Sequence, residues 1–169
     1  GNPSFQLDMY LEERGFEDVA ALIKRHRIYI TNELKTPGTD LIFPFFDAHG
    51  QLTCIKSKPI DYDGDPRFVG RDTKPILFGW QTIKPHDRSV WITEGELDAI
   101  ACRELGFSAL SLPNGANNMH WIEHEHDALQ RFDHIAIATD MDDAGHTAAT
   151  ELLDRLGSRA FRVEFPAKD

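Results

Sequence analysis

The second half of the chain alternates short apolar segments with segments of helical periodicity, and this alternation restricts the possible folds more than any other feature. It predicts four strands, at residues 89–93, 108–112, 134–139 and 160–165. Helices are predicted between them, at residues 97–105, 121–132 and 143–156. Strands that alternate with helices of roughly 10–15 residues are typical of right-handed βαβ units. We therefore predict an α/β domain at residues 89–169, with a central, mostly parallel sheet flanked by helices.

The first half of the chain has a different pattern. Apolar side chains at helical spacing predict one or two short helices within residues 10–28. Residues 40–46 (D-L-I-F-P-F-F) and 51–56 (Q-L-T-C-I-K) flank a D-A-H-G turn, which indicates a β-hairpin. Pro44 in the first of these segments predicts an edge strand or a bulge, because proline has no N–H for a sheet hydrogen bond. We predict a small α+β subdomain at residues 3–88.

The acidity of the chain is concentrated in its second half. The whole sequence has 18 basic and 28 acidic residues, for a formal net charge of -10. Residues 1–88 contain 12 basic and 13 acidic residues, whereas residues 89–169 contain 6 and 15. Proteins that bind nucleic acid are usually basic, so the balance is unfavourable to strong DNA binding by this chain alone. It favours a site that collects divalent cations.

Acidic residues follow two of the predicted strands. Glu94 comes directly after the first strand, and Asp140 and Asp142 come after the third. The carboxyl ends of parallel strands are where open α/β sheets place their ligands. Asp140 and Asp142 are two residues apart, so in an extended strand end they project to one side. Asp143 is better placed as the N-cap or in the first turn of the next helix.

Carboxylates gathered at one sheet edge repel each other, and they either take up protons or bind a cation. Mg²⁺ prefers oxygen ligands, and one to three carboxylates together with a substrate phosphate form a suitable set. The sequence therefore predicts Mg²⁺ (or Mn²⁺) as the cofactor and phosphoryl transfer as the chemistry. The alternative for each single acid is a helix cap or a solvated rim.

Two motifs carry a resemblance to a known family. V-W-I-T-E-G-E-L-D-A at residues 90–99 and I-A-I-A-T-D-M-D-D-A-G at residues 135–145 resemble the Toprim signature. Topoisomerases, primases, some nucleases and recombination proteins share that signature. P-I-L-F-G at residues 75–79, S-L-P-N-G-A at residues 111–116 and the hairpin are similar to phage and mitochondrial-type DNA primase–helicases. The resemblance extends from about residue 10 to residue 169.

The resemblance implies roles for individual residues. Glu94 would act as a general base or in a metal-linked role, and Asp140, Asp142 and Asp169 would hold metal together with Glu94. Lys56, Lys58, Arg67 and Arg71 fall where the family places basic residues, so they would bind nucleotide and DNA, with Lys56 also catalytic. Alternation along a strand puts Lys56 and Lys58 on one face. For the loop that contains Arg67 and Arg71, a solvated polar surface is an equally weighted alternative.

The resemblance also implies a function and partners. The leading hypothesis is synthesis of RNA primers from NTPs on a single-stranded DNA template during replication. A ring helicase, fused or separate, and a zinc-binding module would be its partners. A Toprim nuclease and a non-catalytic Toprim scaffold are the alternatives. No apolar run approaches the roughly 18 residues that span a bilayer, so we expect no membrane association. The N-terminus shows no charged-then-apolar signal pattern, so we expect a cytoplasmic location.

Two further signals are weak. H-x-x-E-H at residues 120–124 has the form of a metalloprotease pattern, but so short a match arises easily by chance, and zinc catalysis needs a third protein ligand. We interpret it as the polar face of a helix. Cys54 and Cys102, the two cysteines of the chain, form no C-x-x-C pair, so a zinc ribbon and a disulfide framework are not predicted.

Overall fold

The computed structural model describes residues 3–70, 74–116 and 119–166, and the chain divides into two compact units. The first unit comprises residues 1–73 and the second comprises residues 74–169. This boundary falls earlier than the division at residue 88 that the sequence predicts. The reason is that Leu77 and Trp80 are buried in the hydrophobic core of the second unit.

The first unit contains two helices and an antiparallel sheet. The helices are α1 (Pro3–Glu12) and α2 (Val19–His26), so the helical region begins before residue 10. The strands are β1 (Tyr29–Thr31), β2 (Asp40–Phe46), β3 (Leu52–Pro59) and β4 (Arg67–Val69). They lie in the order β1-β2-β3-β4, and each neighbouring pair is antiparallel. The predicted hairpin is confirmed as β2 and β3.

Pro44 is accommodated in β2 because strand β1 is short. β1 pairs with residues 40–42 of β2, so Pro44 lies beyond the end of that pairing. On the other side, Pro44 is opposite Ile55 of β3. The β2–β3 register then shifts between Phe45 and Phe46. β2 is therefore an interior strand of the sheet, but at Pro44 it pairs with β3 only. Pro44 thus has the edge-like position that the sequence predicts, and a register shift follows it.

The second unit is the predicted α/β fold. Its elements are β5 (Ser89–Thr93), α3 (Glu96–Glu104), β6 (Ala109–Ser111), β7 (Pro113–Ala116), α4 (Trp121–Leu129), β8 (His134–Ala138), α5 (Asp143–Leu156) and β9 (Ala160–Arg162). Four strands form a sheet in the order β6-β5-β8-β9, and every neighbouring pair is parallel. The two central strands are therefore β5 and β8, which carry the acidic motifs at their carboxyl ends.

One face of this sheet supplies the core. Val90 and Ile92 of β5 and Ile135 of β8 are fully buried, and they share a cluster with Ala149 and Leu152 of α5. Residues two apart along a strand point to the same face, so Val90 and Ile92 both contribute to this core. The apolar stripe of α5 recurs at helical spacing and packs on that face. This packing fixes the start of α5, and with it the loop that follows β8.

A buried glutamate ties α4 to the segment that precedes the sheet. Glu125 on α4 is 3% exposed. Its Oε2 atom accepts a hydrogen bond from the backbone N–H of Leu77 at 3.2 Å and another from the indole N–H of Trp80. Residues 78 and 111 also form an antiparallel bridge. These contacts explain why residues 74–88 pack with the second unit.

Within the described ranges, no helix has the length and apolar character needed to cross a membrane.

Candidate active site

The carboxyl ends of β5 and β8 bring Glu94 and Asp140 together. Thr93 is the register partner of Ala138, so both strands end at the same level of the sheet. Glu94 Oε2 accepts a hydrogen bond from the backbone N–H of Asp140 at 3.1 Å. Thr93 supports the turn, because its hydroxyl donates to the carbonyl of Gly95 at 3.1 Å. The parallel sheet thus joins two acidic residues that are far apart in the sequence.

The environment of Glu94 raises the pKa of its carboxyl group. Partial burial, and then the like charges of Asp140 and Asp142, raise its pKa above the ordinary value. Hydrogen bonds from the backbone amides of Asp140 and Ala116 act in the opposite direction and lower the pKa. The influence of both aspartates shows that the three carboxyl groups share one electrostatic environment. A raised carboxyl pKa at a strand end is a physical indication of a functional site.

Asp142 caps the helix that follows β8. Its Oδ1 atom accepts a hydrogen bond from the backbone N–H of Gly145 at 2.7 Å, which satisfies one of the free amides at the start of α5. Thr139 adds a second tie, since its hydroxyl donates to the Gly145 carbonyl at 2.7 Å. Asp143 is the first residue of the helix, in the acidic first turn that the sequence predicts. Asp140 and Asp142 are both exposed.

The donor set is compatible with a hard divalent cation. Within residues 3–70, 74–116 and 119–166, no three His, Cys, Asp or Glu side chains form a group that could hold a metal ion. Glu94, Asp140 and Asp142 nevertheless present oxygen ligands at one sheet edge, and Mg²⁺ commonly uses one or two carboxylates and keeps several waters. The predicted ligand Asp169 lies outside the described residues.

Gly145 allows the closest backbone approach in the site. A Cβ atom at residue 145 would lie 2.1 Å from the carbonyl oxygen of Asp140 and 2.8 Å from its carbonyl carbon. Such distances require the backbone to move. The glycine at the end of the second motif therefore has a steric reason. Helix α5 begins directly against the strand end that carries Asp140, and a side chain at residue 145 would not fit between them.

We predict that Gly145→Ala destabilises the second unit by about 1–3 kcal/mol, the usual cost of overpacking, and weakens Mn²⁺ binding. The added methyl group must displace Asp140 from the Glu94 carboxylate. Urea denaturation followed by tryptophan fluorescence measures the first effect, and electron paramagnetic resonance of free Mn²⁺ measures the second. Ala144→Ser, one residue earlier at an exposed position, is the control. Wild-type stability in Gly145→Ala would contradict the steric argument.

The predicted basic residues are divided between two faces of the first unit's sheet. Lys56 and Lys58 lie two apart on β3 and therefore share a face. Lys56 is opposite Phe68 of β4, and its Nζ atom lies 5.7 Å from the centre of that ring. Arg67 is opposite Ser57, which places it on the other face. Arg71 lies outside the described residues.

Arg162 is a residue that the sequence reasoning did not select. It lies on β9 opposite Ile137, on the sheet face that α5 covers. One terminal nitrogen of its guanidinium is 2.6 Å from His146 Nδ1, and the other donates to Met141 Sδ at 3.8 Å. Arg162 thus connects Met141, which lies between Asp140 and Asp142, to the first turn of α5. The alternation along β9 was the signal that could have identified it.

The histidines of the H-x-x-E-H segment do not build a metal site within the described ranges. His124 lies on α4 with its side chain exposed, and His126 on the same helix contacts the side-chain nitrogen of Gln130 at 3.1 Å. The interpretation of this segment as the polar face of a helix agrees with the burial of Trp121, Ile122 and Leu129 on the opposite face.

Comparisons with known proteins agree with this geometry. Residues 91–169 match the family described as Toprim-like. The chain is 33% identical over 152 residues to the "Twinkle homolog protein, chloroplastic/mitochondrial" of Arabidopsis thaliana, a match that covers 79% of this chain and 21% of the relative. It is 34% identical over 137 residues to the "Primase homolog protein" of the same plant, covering 70% of this chain and 39% of the relative. The chain therefore spans less than half the length of these relatives.

Solved structures share the fold. The primase fragment of the bacteriophage T7 primase–helicase superposes with a TM-score of 0.76 at 21% identity, covering 94% of this chain and 65% of that chain. The catalytic core of the Escherichia coli primase superposes with a TM-score of 0.74 at 14% identity, covering 100% and 68%.

The second unit is thus a Toprim-like domain, with its acidic residues at the ends of the two central strands. More narrowly, the chain is similar in sequence to the Twinkle and primase homologues of Arabidopsis thaliana and in fold to the phage primase fragment, as the sequence resemblance implied.

Proposed function

We propose that this chain is the catalytic portion of a DNA primase or primase–helicase, and that it synthesises RNA primers on single-stranded DNA during replication. In this reaction a 3′-hydroxyl oxygen attacks the α-phosphate of an NTP. A new phosphodiester bond forms, and the bond to the β-phosphate breaks with release of pyrophosphate. The observation that carries the proposal is the hydrogen bond from the Asp140 N–H to the Glu94 carboxylate, which unites the two Toprim motifs at one sheet edge.

Each acidic residue has a proposed role. Glu94, Asp140 and Asp142, with Asp169, would hold Mg²⁺ or Mn²⁺. The bound cation would neutralise charge on the reacting phosphates. The raised pKa of Glu94 also suits a general base, because a base works best when its pKa lies closer to the working pH. Asp142 can keep its helix cap through Oδ1 while its second oxygen contributes charge to the site.

The basic residues would hold the nucleotide and the template. We propose Lys56 and Lys58 as the main phosphate contacts, because they share one face of β3. A catalytic role for Lys56 is proposed from the family resemblance. Arg67 and Arg71 remain predictions from the family pattern, and Arg67 would have to act from the opposite face of the sheet. Acidic composition limits the DNA affinity of this chain, so a zinc-binding module and a ring helicase are the proposed partners that supply further binding.

One gel tests this proposal. The chain is incubated with single-stranded DNA, labelled NTPs and Mg²⁺ or Mn²⁺, and the gel resolves both new oligoribonucleotides and shortened template. Asp140→Asn removes one charged ligand while keeping its size. Asp143→Asn, at the exposed first residue of α5, is the matched control for loss of a neighbouring negative charge. We expect RNA from the parent chain and from Asp143→Asn, and a large loss in Asp140→Asn.

The other outcomes separate the alternatives. Shortened DNA without new RNA would replace the primase proposal with a Toprim nuclease. Equal divalent-cation affinity in the parent and in Asp140→Asn, with neither product formed, would instead identify a non-catalytic scaffold.

A further inference from the structure

The S-L-P-N-G-A segment reaches Glu94 from the side opposite to Asp140. β7, which contains the end of this segment, follows β6 directly along the chain. Gly115 has φ +60, in the left-handed region, and a Cβ atom there would lie 3.6 Å from Glu94 Oε1 and 3.9 Å from its Cγ. The backbone amide of the next residue, Ala116, lowers the pKa of the Glu94 carboxyl group. This segment is one of those that resemble phage and mitochondrial-type primase–helicases.

The order of the sheet brings two segments of the chain to the Glu94 carboxylate. β5 lies between β6 and β8, so the segments that follow β6 and β8 leave the sheet on either side of Glu94. On the β8 side, Asp140 donates its N–H to Oε2 at 3.1 Å. On the β6 side, Leu112 continues the pairing by donating its N–H to the Thr93 carbonyl at 3.0 Å, which directs residues 113–116 toward Glu94. Asp140 therefore holds Glu94 on the β8 side, and residues 113–116 approach the same carboxylate on the β6 side.

We propose that β7 is a positioning element, in which Gly115 directs the Ala116 N–H to the Glu94 carboxylate and so completes a two-amide clamp with the Asp140 N–H. The clamp fixes the direction in which Glu94 presents its oxygens. The role of β7 lies within the proposed function, on which its catalytic consequence rests. The clamp itself is a property of the folded chain and can be tested without substrate.

Residue 115 favours glycine because of its backbone conformation rather than for lack of space. A contact of 3.6 Å is an ordinary van der Waals distance, so an added methyl group fits. An L-residue with φ near +60° is strained, however, and relaxes toward negative φ. That rotation moves the following amide, which is the Ala116 N–H. Asparagine tolerates the left-handed region better than other residues with a side chain, so Gly115→Asn should keep the backbone conformation of β7.

The clamp predicts a signature in the amide spectrum of the metal-free chain. Hydrogen bonds to a carboxylate move amide proton resonances downfield. In Glu94→Ala both the Ala116 and the Asp140 resonances should therefore move upfield, because both lose their acceptor. In Gly115→Ala only the Ala116 resonance should do so. Glu94→Asp, which keeps the charge on a shorter side chain, is the second variant if Glu94→Ala does not fold. An Ala116 resonance that stays in place when the Glu94 side chain is changed overturns the inference.

Mn²⁺ binding to the whole chain, measured by electron paramagnetic resonance, tests the consequence. Loss of one hydrogen bond to a charged group corresponds to roughly a tenfold change in affinity. Gly115→Ala should weaken Mn²⁺ binding by about that factor, while Gly115→Asn should stay within about threefold of the parent. Gly157→Ala is the matched control, because Gly157 has φ +68 and a Cβ atom there would meet nothing within 4 Å. It should lower the melting temperature without changing Mn²⁺ affinity.

The two proposals fail in different ways. Equal Mn²⁺ affinity in the parent and Gly115→Ala, with both glycine variants equally destabilised, overturns the positioning role and leaves primer synthesis intact. An intact amide signature in a chain that makes no RNA overturns the proposed function and leaves the clamp as a structural fact.

Discussion

Glu94→Gln should reduce primer synthesis by about 10²–10⁴-fold, the range expected when a general acid or base is lost, with the fold unchanged. The amide oxygen of glutamine can still accept the hydrogen bond that Asp140 donates to Glu94 at 3.1 Å. The strand ends of β5 and β8 should therefore stay together. Glutamine cannot take a proton and carries no charge to hold a cation, so both roles proposed for Glu94 are removed. Single-turnover primer extension at saturating NTP measures the effect on the chemical step.

Glu123→Gln is the matched control for this prediction. Glu123 is exposed on α4, outside the acidic motifs, and the substitution is chemically the same. It should leave the rate within about twofold of the parent. Near-normal primer synthesis by Glu94→Gln would contradict the catalytic assignment, and the hydrogen bond to Asp140 would then be structural only. A lower melting temperature in Glu94→Gln alone would point to the same conclusion.

Glu125→Ala should be the most destabilising substitution in the second unit. It removes the acceptor of two buried donors, the Leu77 N–H and the Trp80 indole N–H. Each unsatisfied buried donor costs about 1–3 kcal/mol, so the loss in the free energy of unfolding should be roughly 2–6 kcal/mol. That is a large part of the 5–15 kcal/mol typical of whole domains. Glu125→Gln keeps an acceptor oxygen and should lose clearly less.

The chain contains its own probe for this measurement. All three tryptophans, Trp80, Trp91 and Trp121, belong to the second unit, so their fluorescence during urea denaturation reports on that unit. His126→Ala, at the exposed neighbouring position, is the control and should change stability by less than about 0.5 kcal/mol. Equal stability of Glu125→Ala and the parent would mean that the two donors find other acceptors.

The alternating part of the fold could be predicted because its signal is local. Short apolar strands, helices and glycine stops follow one another within residues 89–162, and the parallel sheet follows from that order. The start of α1 could not be predicted, since Pro3–Glu12 has no acidic residue in its first turn and no basic residue in its last. The inclusion of residues 74–88 in the second unit depends on Leu77 and Trp80 meeting Glu125. That contact is between residues remote in sequence, and no local pattern reveals it.

The meeting of Glu94 and Asp140 could also be predicted, because carboxyl ends of neighbouring parallel strands share an edge. The approach of Gly115 to Glu94 could not, since it depends on one positive φ value within β7. The orientation of Arg67 likewise depends on register. Its pairing with Ser57 is set by how the chain turns between β3 and β4, and a shift by one residue would reverse the face.

The direct pairing of β5 with β8 has a consequence for how such proteins diversify. Glu94 and Asp140 are 46 residues apart in the chain, yet five consecutive register pairs hold their strands side by side. The intervening chain does not set the distance between them. Insertions at an exposed turn such as the one at Gly106, where an added Cβ atom would meet nothing within 4 Å, should be tolerated without moving the acids. A new recognition module can therefore be inserted into the connection between β5 and β8, by evolution or by design, without changing the positions of the acidic residues at the sheet edge.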